Sequence, residues 1–120
     1  MEETNNIQIA KYFNMQEFEC PCCHCVMIHP KLLKLLIKLR RLVMEPIYIN
    51  SGYRCKKENK KVGGVKSSYH RFGMAVDITV NQKSMHDLAI MAESVGFLGI
   101  GLYDTFCHLD IRDHREHWEG

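Results

Sequence analysis

The chain has 120 residues, close to the commonest size of a single domain. A domain of that length buries roughly two-thirds of the surface its unfolded chain exposes, so a core needs no staples. Hydrophobic residues at 46% and charged residues at 25% exclude an intrinsically disordered chain. Sixteen Lys+Arg against fourteen Asp+Glu leave a net charge of +2, which argues against nucleic acid or a polybasic membrane contact as partner. No apolar run approaches the ~18 residues of a transmembrane helix. The start, Met1 to Asn6, is acidic and polar, the reverse of a secretion leader. One domain over 1–120, without membrane insertion and without a leader of its own, is therefore expected.

The first strong periodic element covers 30–44. Leu32, Leu35, Leu36, Leu39, Leu42 and Val43 recur at helical spacing, Pro30 suits a first turn, and Lys31, Lys34, Lys38 and Arg41 take the other side. Pro46 ends it. Ile47–Asn50 reads as a short strand running into a Ser51-Gly52 turn. From Tyr53 to Phe72 the chain is polar, with one helical turn near Lys56–Lys61, and a structured loop that long points to function. Ala75–Val80 is a strand with Val76, Ile78 and Val80 on one side and Ala75, Asp77 and Thr79 on the other. Ser84 and Asp87 form a capping box for a helix whose inner face is Met85, Leu88, Ala89, Ala92 and Val95, stopped by Gly96. Leu98–Tyr103 and Phe106–Arg112 read as a hairpin around Asp104-Thr105, and the C-terminal residues beyond read as a polar tail. The pattern predicts an α+β domain, helices on one side of a small, mostly antiparallel sheet.

Six Cys and seven His are a high count for so short a chain. Asp77 lies mid-strand among apolar residues, where a carboxylate must be paired, hydrogen-bonded or on a metal. His70 precedes it on the polar loop. In the last predicted strand Cys107, Leu109 and Ile111 take the apolar face, so Phe106, His108, Asp110 and Arg112 share the opposite one. Two His and one Asp make the three-ligand set of a catalytic zinc, which keeps a fourth position open for water. The same spacing also allows Asp77 to cap a turn or to pair with Arg71.

Ser68-Tyr69-His70-Arg71-Phe72-Gly73-Met74-Ala75-Val76-Asp77 matches the pattern Ser-x-His-x-x-Gly-x-Ala-x-Asp. Upstream stand Ser51-Gly52-Tyr53-Arg54 and the run from Asn59 to Gly64; downstream, Gly99 to Tyr103 leads to Phe106-Cys107-His108-Leu109-Asp110. Together these resemble the zinc D-alanyl-D-alanine carboxypeptidases and their peptidoglycan endopeptidase relatives, in the short single-domain branch of phage and bacterial genomes. The resemblance runs from about Phe18 to Trp118 and implies the fold shared with hedgehog signalling domains. It implies zinc on His70, Asp77 and His108, Arg54 holding the substrate carbonyl and the oxyanion formed from it, and Ser68 contacting substrate or supporting His70. Implied substrates are peptidoglycan peptides, cut beside a D-amino acid in an endolysin-like role by a monomer. With no leader, the protein is expected to be made in the cytoplasm and to reach the wall after lysis, pore passage or phage assembly.

Many relatives carry a Glu three residues before the last His, and Thr105 stands there. Asp110, on the His108 face, is the first candidate for general base and Asp104 the second; an alternative alignment makes Asp110 the third ligand and His108 the base. The missing Glu also leaves open a binding module of the same fold without activity. Finally, the Cys-rich segment at 18–29, with Cys20, Cys22, Cys23 and Cys25 beside His24 and His29, reads equally as a zinc knuckle, a disulfide to Cys55 or free thiols. A zinc-ribbon adaptor built on that segment would explain none of the four matched stretches. Cys107 reads as a packed core residue, and His86, His114 and His117 as solvated.

Overall fold

The computed structural model describes residues 5–120; the acidic start at 1–4 lies outside them. In chain order the elements are β1 (Gln8–Ala10), β2 (Phe13–Asn14), α1 (Pro30–Val43), β3 (Tyr48–Ser51), α2 (Lys56–Lys61), β4 (Ala75–Thr79), α3 (Met85–Val95), β5 (Gly99–Leu102), β6 (Cys107–Asp110) and β7 (Glu116–Glu119). Strands β3 to β7 form one sheet in the order β3-β4-β6-β5-β7, antiparallel except for the parallel β5–β7 pair. The fold is α+β, as the periodicities predict.

Helix α1 starts where His29 Nδ1 accepts the Lys31 N–H, with Pro30 in the first turn. It ends at Met44, whose left-handed backbone precedes Pro46. Its Leu32, Leu35, Leu36, Leu39 and Val43 are buried against Leu88 and Ala92 of α3. Leu42, expected on that face, is instead exposed. The apolar face of the sheet closes this core with Val76 and Ile78, Ile100, and Cys107 and Leu109. Burial pushes the Cys107 thiol up to about 12, as fits a packed residue. For α3, half of the expected box forms, Ser84 Oγ accepting the Asp87 N–H.

The opposite face carries the polar residues, and register aligns them. Ser51 pairs with Asp77, Asp77 with His108, His108 with Gly101, and Gly101 with Trp118. Because directly opposed residues on neighbouring strands point the same way, these five make one row across the whole sheet. The next row holds Ala75, Asp110, Gly99 and Glu116.

Two expectations need correction. The C-terminal stretch is not a free tail, since β7 is the sheet's edge strand. Three of its four residues are exposed, so it shows no apolar alternation to read. The expected hairpin strand also stops at Asp110, because the chain turns so that Arg112 N–H reaches back to Asp110 Oδ1. The long 53–72 segment holds α2 where one helical turn is expected, and closes on a 3-10 turn at Tyr69–Phe72.

Leu36 has no exposed surface and belongs to the core cluster that α1 shares with the sheet and α3. Leu36→Ala is expected to lower stability by about 2–5 kcal/mol, measured by urea unfolding, while metal bound per folded molecule stays unchanged.

Candidate metal centre

Asp77 sits in the middle of β4 at 5% exposure, and its carboxylate organises the site. Oδ2 accepts from Arg54 Nη2 at 3.0 Å; Oδ1 faces His70 Nε2 at 3.2 Å and His108 Nδ1 at 3.0 Å. Arg54, not Arg71, is therefore its cationic partner. Arg71 donates to Lys66 O and lies over the Phe72 ring.

Each histidine is held from behind. His70 Nδ1 lies 2.8 Å from Gly52 O, and because a carbonyl only accepts, Nδ1 carries a proton and Nε2 is the nitrogen turned to Asp77 or a metal. Gly52 is required there. A Cβ on it would stand 2.7 Å from Phe18 Cα and 2.8 Å from Phe18 O, so any side chain would shift the anchor of His70. His108 Nε2 lies 2.7 Å from Asp110 Oδ2 and donates to it, leaving Nδ1 for Asp77 or a metal. Ser68 caps the 3-10 turn that carries His70, its Oγ accepting the His70 N–H at 3.2 Å. Gly73 ends that turn at φ +67, a conformation few residues other than glycine adopt readily.

Asp110 is fully buried and its oxygens are all engaged. Oδ1 accepts from Arg112 N and Nε at 3.1 and 2.8 Å, and Oδ2 from Arg112 Nη2 and His108 at 2.6 and 2.7 Å. It stands behind His108 and does not line the cleft. Asp104 and Thr105 are exposed in the β5–β6 turn. The structure thus brings His70, Asp77, His108, Arg54 and Ser68 together around one opening and keeps both candidate bases out of its lining.

Burial alone would raise the Asp77 carboxyl, but hydrogen bonds from His108 and His70 outweigh it and hold it well below the usual range. Asp110 behaves likewise, with burial overcome by Arg112 and then His108. For His108, burial favours the neutral ring, but Asp110 and Asp77 prevail and raise its pKa.

The donor set fits a metal ion. Two imidazole nitrogens and one carboxylate oxygen converge, with the proton-bearing nitrogens turned outward to Gly52 and Asp110. Bonds of 2.0–2.1 Å in tetrahedral geometry separate ligand atoms by about 3.3 Å. The 3.0 and 3.2 Å separations from Asp77 Oδ1 come within a few tenths of that. Outer partners of this kind are what orient metal-binding histidines.

Above the row opens a cleft of about 540 Å³, within the usual range for small-ligand sites. One rim is Val62 to Val65, held by Asn59 Nδ2 donating to Val65 O. The other is aromatic. Tyr103 and Phe106 stack with ring centres 4.5 Å apart, and Trp118 lies 5.2 Å from the His108 ring with Nε1 donating to Tyr103 OH. This wall is what sequence reasoning missed. Trp118, the chain's single tryptophan, was its one signal. Of the other histidines, His86 and His114 are exposed, and His117 pairs with Glu93 at 3.0 Å.

A family model for peptidase M15 matches residues 11–110. The chain belongs to the peptidase M15 family. Membership supports a metallopeptidase that uses zinc, and His70, Asp77 and His108 are a ligand group present for it. Trp118 and the rest of β7 lie beyond the matched segment. No curated protein matches the chain.

In the metal-free M15 protein the depressed carboxylates contribute stability that is present above about pH 4 and lost as pH falls through their folded values. His108, raised, contributes stability present below about pH 6.5 and lost as pH rises through its folded value. Thermal midpoints of chelator-treated protein should therefore fall on both the acid and the alkaline side. His108→Ala should remove the alkaline limb. Zinc-loaded protein should lack that limb too, because a coordinated imidazole is already without its second proton.

Proposed function

We propose that the protein is a zinc peptidase that hydrolyses bonds beside D-amino acids in peptidoglycan peptides. The observation that carries the reading is the convergence of two imidazole nitrogens and the Asp77 carboxylate beside a fixed arginine on the floor of an open cleft. Zinc held there by His70, Asp77 and His108 would supply a Lewis acid that polarises a carbonyl and acidifies water.

The remaining work belongs to the chain. Arg54 is fixed in its plane, Nε donating to Ser51 Oγ and Nη2 to Asp77 Oδ2. Nη1 is left to hold the substrate carbonyl oxygen as negative charge grows on it. A cleft rimmed by backbone at Gly63–Gly64 and walled by Tyr103, Phe106 and Trp118 suits an extended peptide and shields the bond from bulk water. Ser68 serves chiefly by capping the turn that bears His70. We assign Asp110 to positioning His108 rather than to proton transfer, since its oxygens are buried and engaged. The acceptor role passes to Asp104, in the turn between cleft-lining Tyr103 and Phe106.

One observation favours a second reading. Asp77 is the only carboxylate lining the cleft among the described residues, and it is committed to Arg54 and both histidines. A zinc-binding module without turnover would need no other.

Incubation of the zinc-loaded protein with purified muropeptides, followed by mass spectrometry, separates the two. Cleavage beside a D-residue is expected; intact muropeptides from folded, zinc-bound protein would establish the binding module. Arg54→Lys should keep zinc and lose most turnover, because one ammonium cannot replace three fixed bonding directions. Unchanged turnover would reduce Arg54 to a structural role. Asp110→Asn should weaken zinc binding by roughly 10–100-fold. A base at Asp110 would instead keep zinc and lower turnover by about two to four orders of magnitude.

A further inference from the structure

Away from the cleft, a second cluster of metal-binding atoms forms where the N-terminal arm meets the segment after β3. The sulfurs of Cys20, Cys23 and Cys55 all lie within 4.8 Å of one another, although Cys55 is 35 residues from Cys20. We propose that these three thiols, with a fourth from Cys22 or Cys25, bind a structural zinc ion that clasps the arm to the Arg54 segment.

Four observations support the clasp. The separation is right. Zn–S bonds of about 2.3 Å in tetrahedral geometry place sulfurs about 3.8 Å apart, inside the observed limit. A fourth ligand is at hand, since Cys22 contacts Cys55 and Cys25 contacts Cys23. Backbone N–H groups already point at two of the sulfurs, Cys55 N at Cys20 Sγ and Glu58 N at Cys55 Sγ, both at 3.4 Å. Such bonds favour thiolate and are the usual outer support of a cysteine-bound metal. The knuckle is also closed on itself, with Cys20 N donating to Cys25 O at 2.9 Å and His24 N to Cys20 O at 2.8 Å.

Disulfides describe the cluster less well. Five thiols gather there, an odd number, and Cys107 is buried in the core on β6. Three sulfurs within 4.8 Å of one another suit one ion, whereas a disulfide would pair two and strand the third. On binding, the metal displaces the thiol protons to solvent. The consequence reaches the cleft, because Cys55 directly follows Arg54. Arg54 N donates to His70 O at 3.1 Å, and Tyr53 N donates to Phe18 O at 2.9 Å. A metal at Cys55 thus fixes the strip of chain that carries Arg54 and the Gly52 carbonyl behind His70.

The test counts metal and does not use activity, so failure of the peptidase reading would leave it untouched. Full-length protein is purified in reductant, loaded with zinc, and analysed by native mass spectrometry. Two zinc ions per chain are expected. His70→Ala/Asp77→Ala/His108→Ala should keep one, and Cys20→Ser/Cys23→Ser/Cys55→Ser should keep only the other. Cobalt(II) loaded in place of zinc should give a thiolate-to-cobalt charge-transfer band in the wild type and in the His/Asp variant. Should the cysteine variant fail to fold, the wild-type band decides alone, because a His/Asp site has no thiolate to produce it. Absence of that band, or an intact mass short by two hydrogens for each disulfide formed, would overturn the proposal.

Discussion

A buried negative charge in the middle of a sheet is the constraint on which the site depends. Asp77 is on a central strand, where an unpaired carboxylate would cost several kcal/mol. Three neighbours answer it. Arg54 takes one oxygen, and the two histidines face the other. With a divalent cation bound, both imidazoles can be neutral. Without it, neutral rings would turn lone pairs toward an anionic oxygen, and Asp110 and Asp77 raise the His108 pKa, which favours a proton there. Metal and proton therefore compete for one position, and Arg54 supplies a countercharge in both states.

The second buried carboxylate shows why two acids on one sheet face differ in use. Asp77 is flanked across the sheet by Ser51 and His108, both polar and able to share a ligand. Asp110 is flanked by Ala75 and Gly99, whose small size leaves room for the Arg112 guanidinium to fold over it. Sharing a face with His108 suggested access to the cleft. Depth within that face gave the opposite result, because Asp110 lies one row behind the opening.

Strand alternation was enough to place Asp77 and His108 on one side, since apolar Val76 and Ile78, and Cys107 and Leu109, fix the other. Both main helices were legible for the same reason, their buried residues recurring at helical spacing. What alternation cannot supply is register. The Ser51–Asp77–His108–Gly101–Trp118 row needs four pairings, one of them parallel to an edge strand with little buried side chain of its own. The choice of Arg54 over Arg71 as partner of Asp77 was equally hidden. Arg71 is nearer in sequence, but its guanidinium is spent on Lys66 O, while the chain turn at Gly52 brings Arg54 back over β4.

Two arginines solve the remaining problem, which is that the ligands come from three separate pieces of chain. Arg54 ties β3 through Ser51, β4 through Asp77, and the His70 turn through its own N–H to His70 O. Arg112 braces the other end. Its guanidinium bonds Asp110 behind His108 and lies between the Tyr69 ring, at 4.8 Å, and the Trp118 ring, at 5.0 Å. Tyr69 precedes His70 directly, so Arg112 couples the turn of one ligand to the strand of the other and to the aromatic wall. Hydrogen bonds to Asp110 and Glu116 hold the cation itself in place, and Glu116 lies on the same strand as Trp118. The edge strand is therefore part of the ligand scaffold. Losing its pairing with β5 would release the cation that keeps the two histidines aimed at one point.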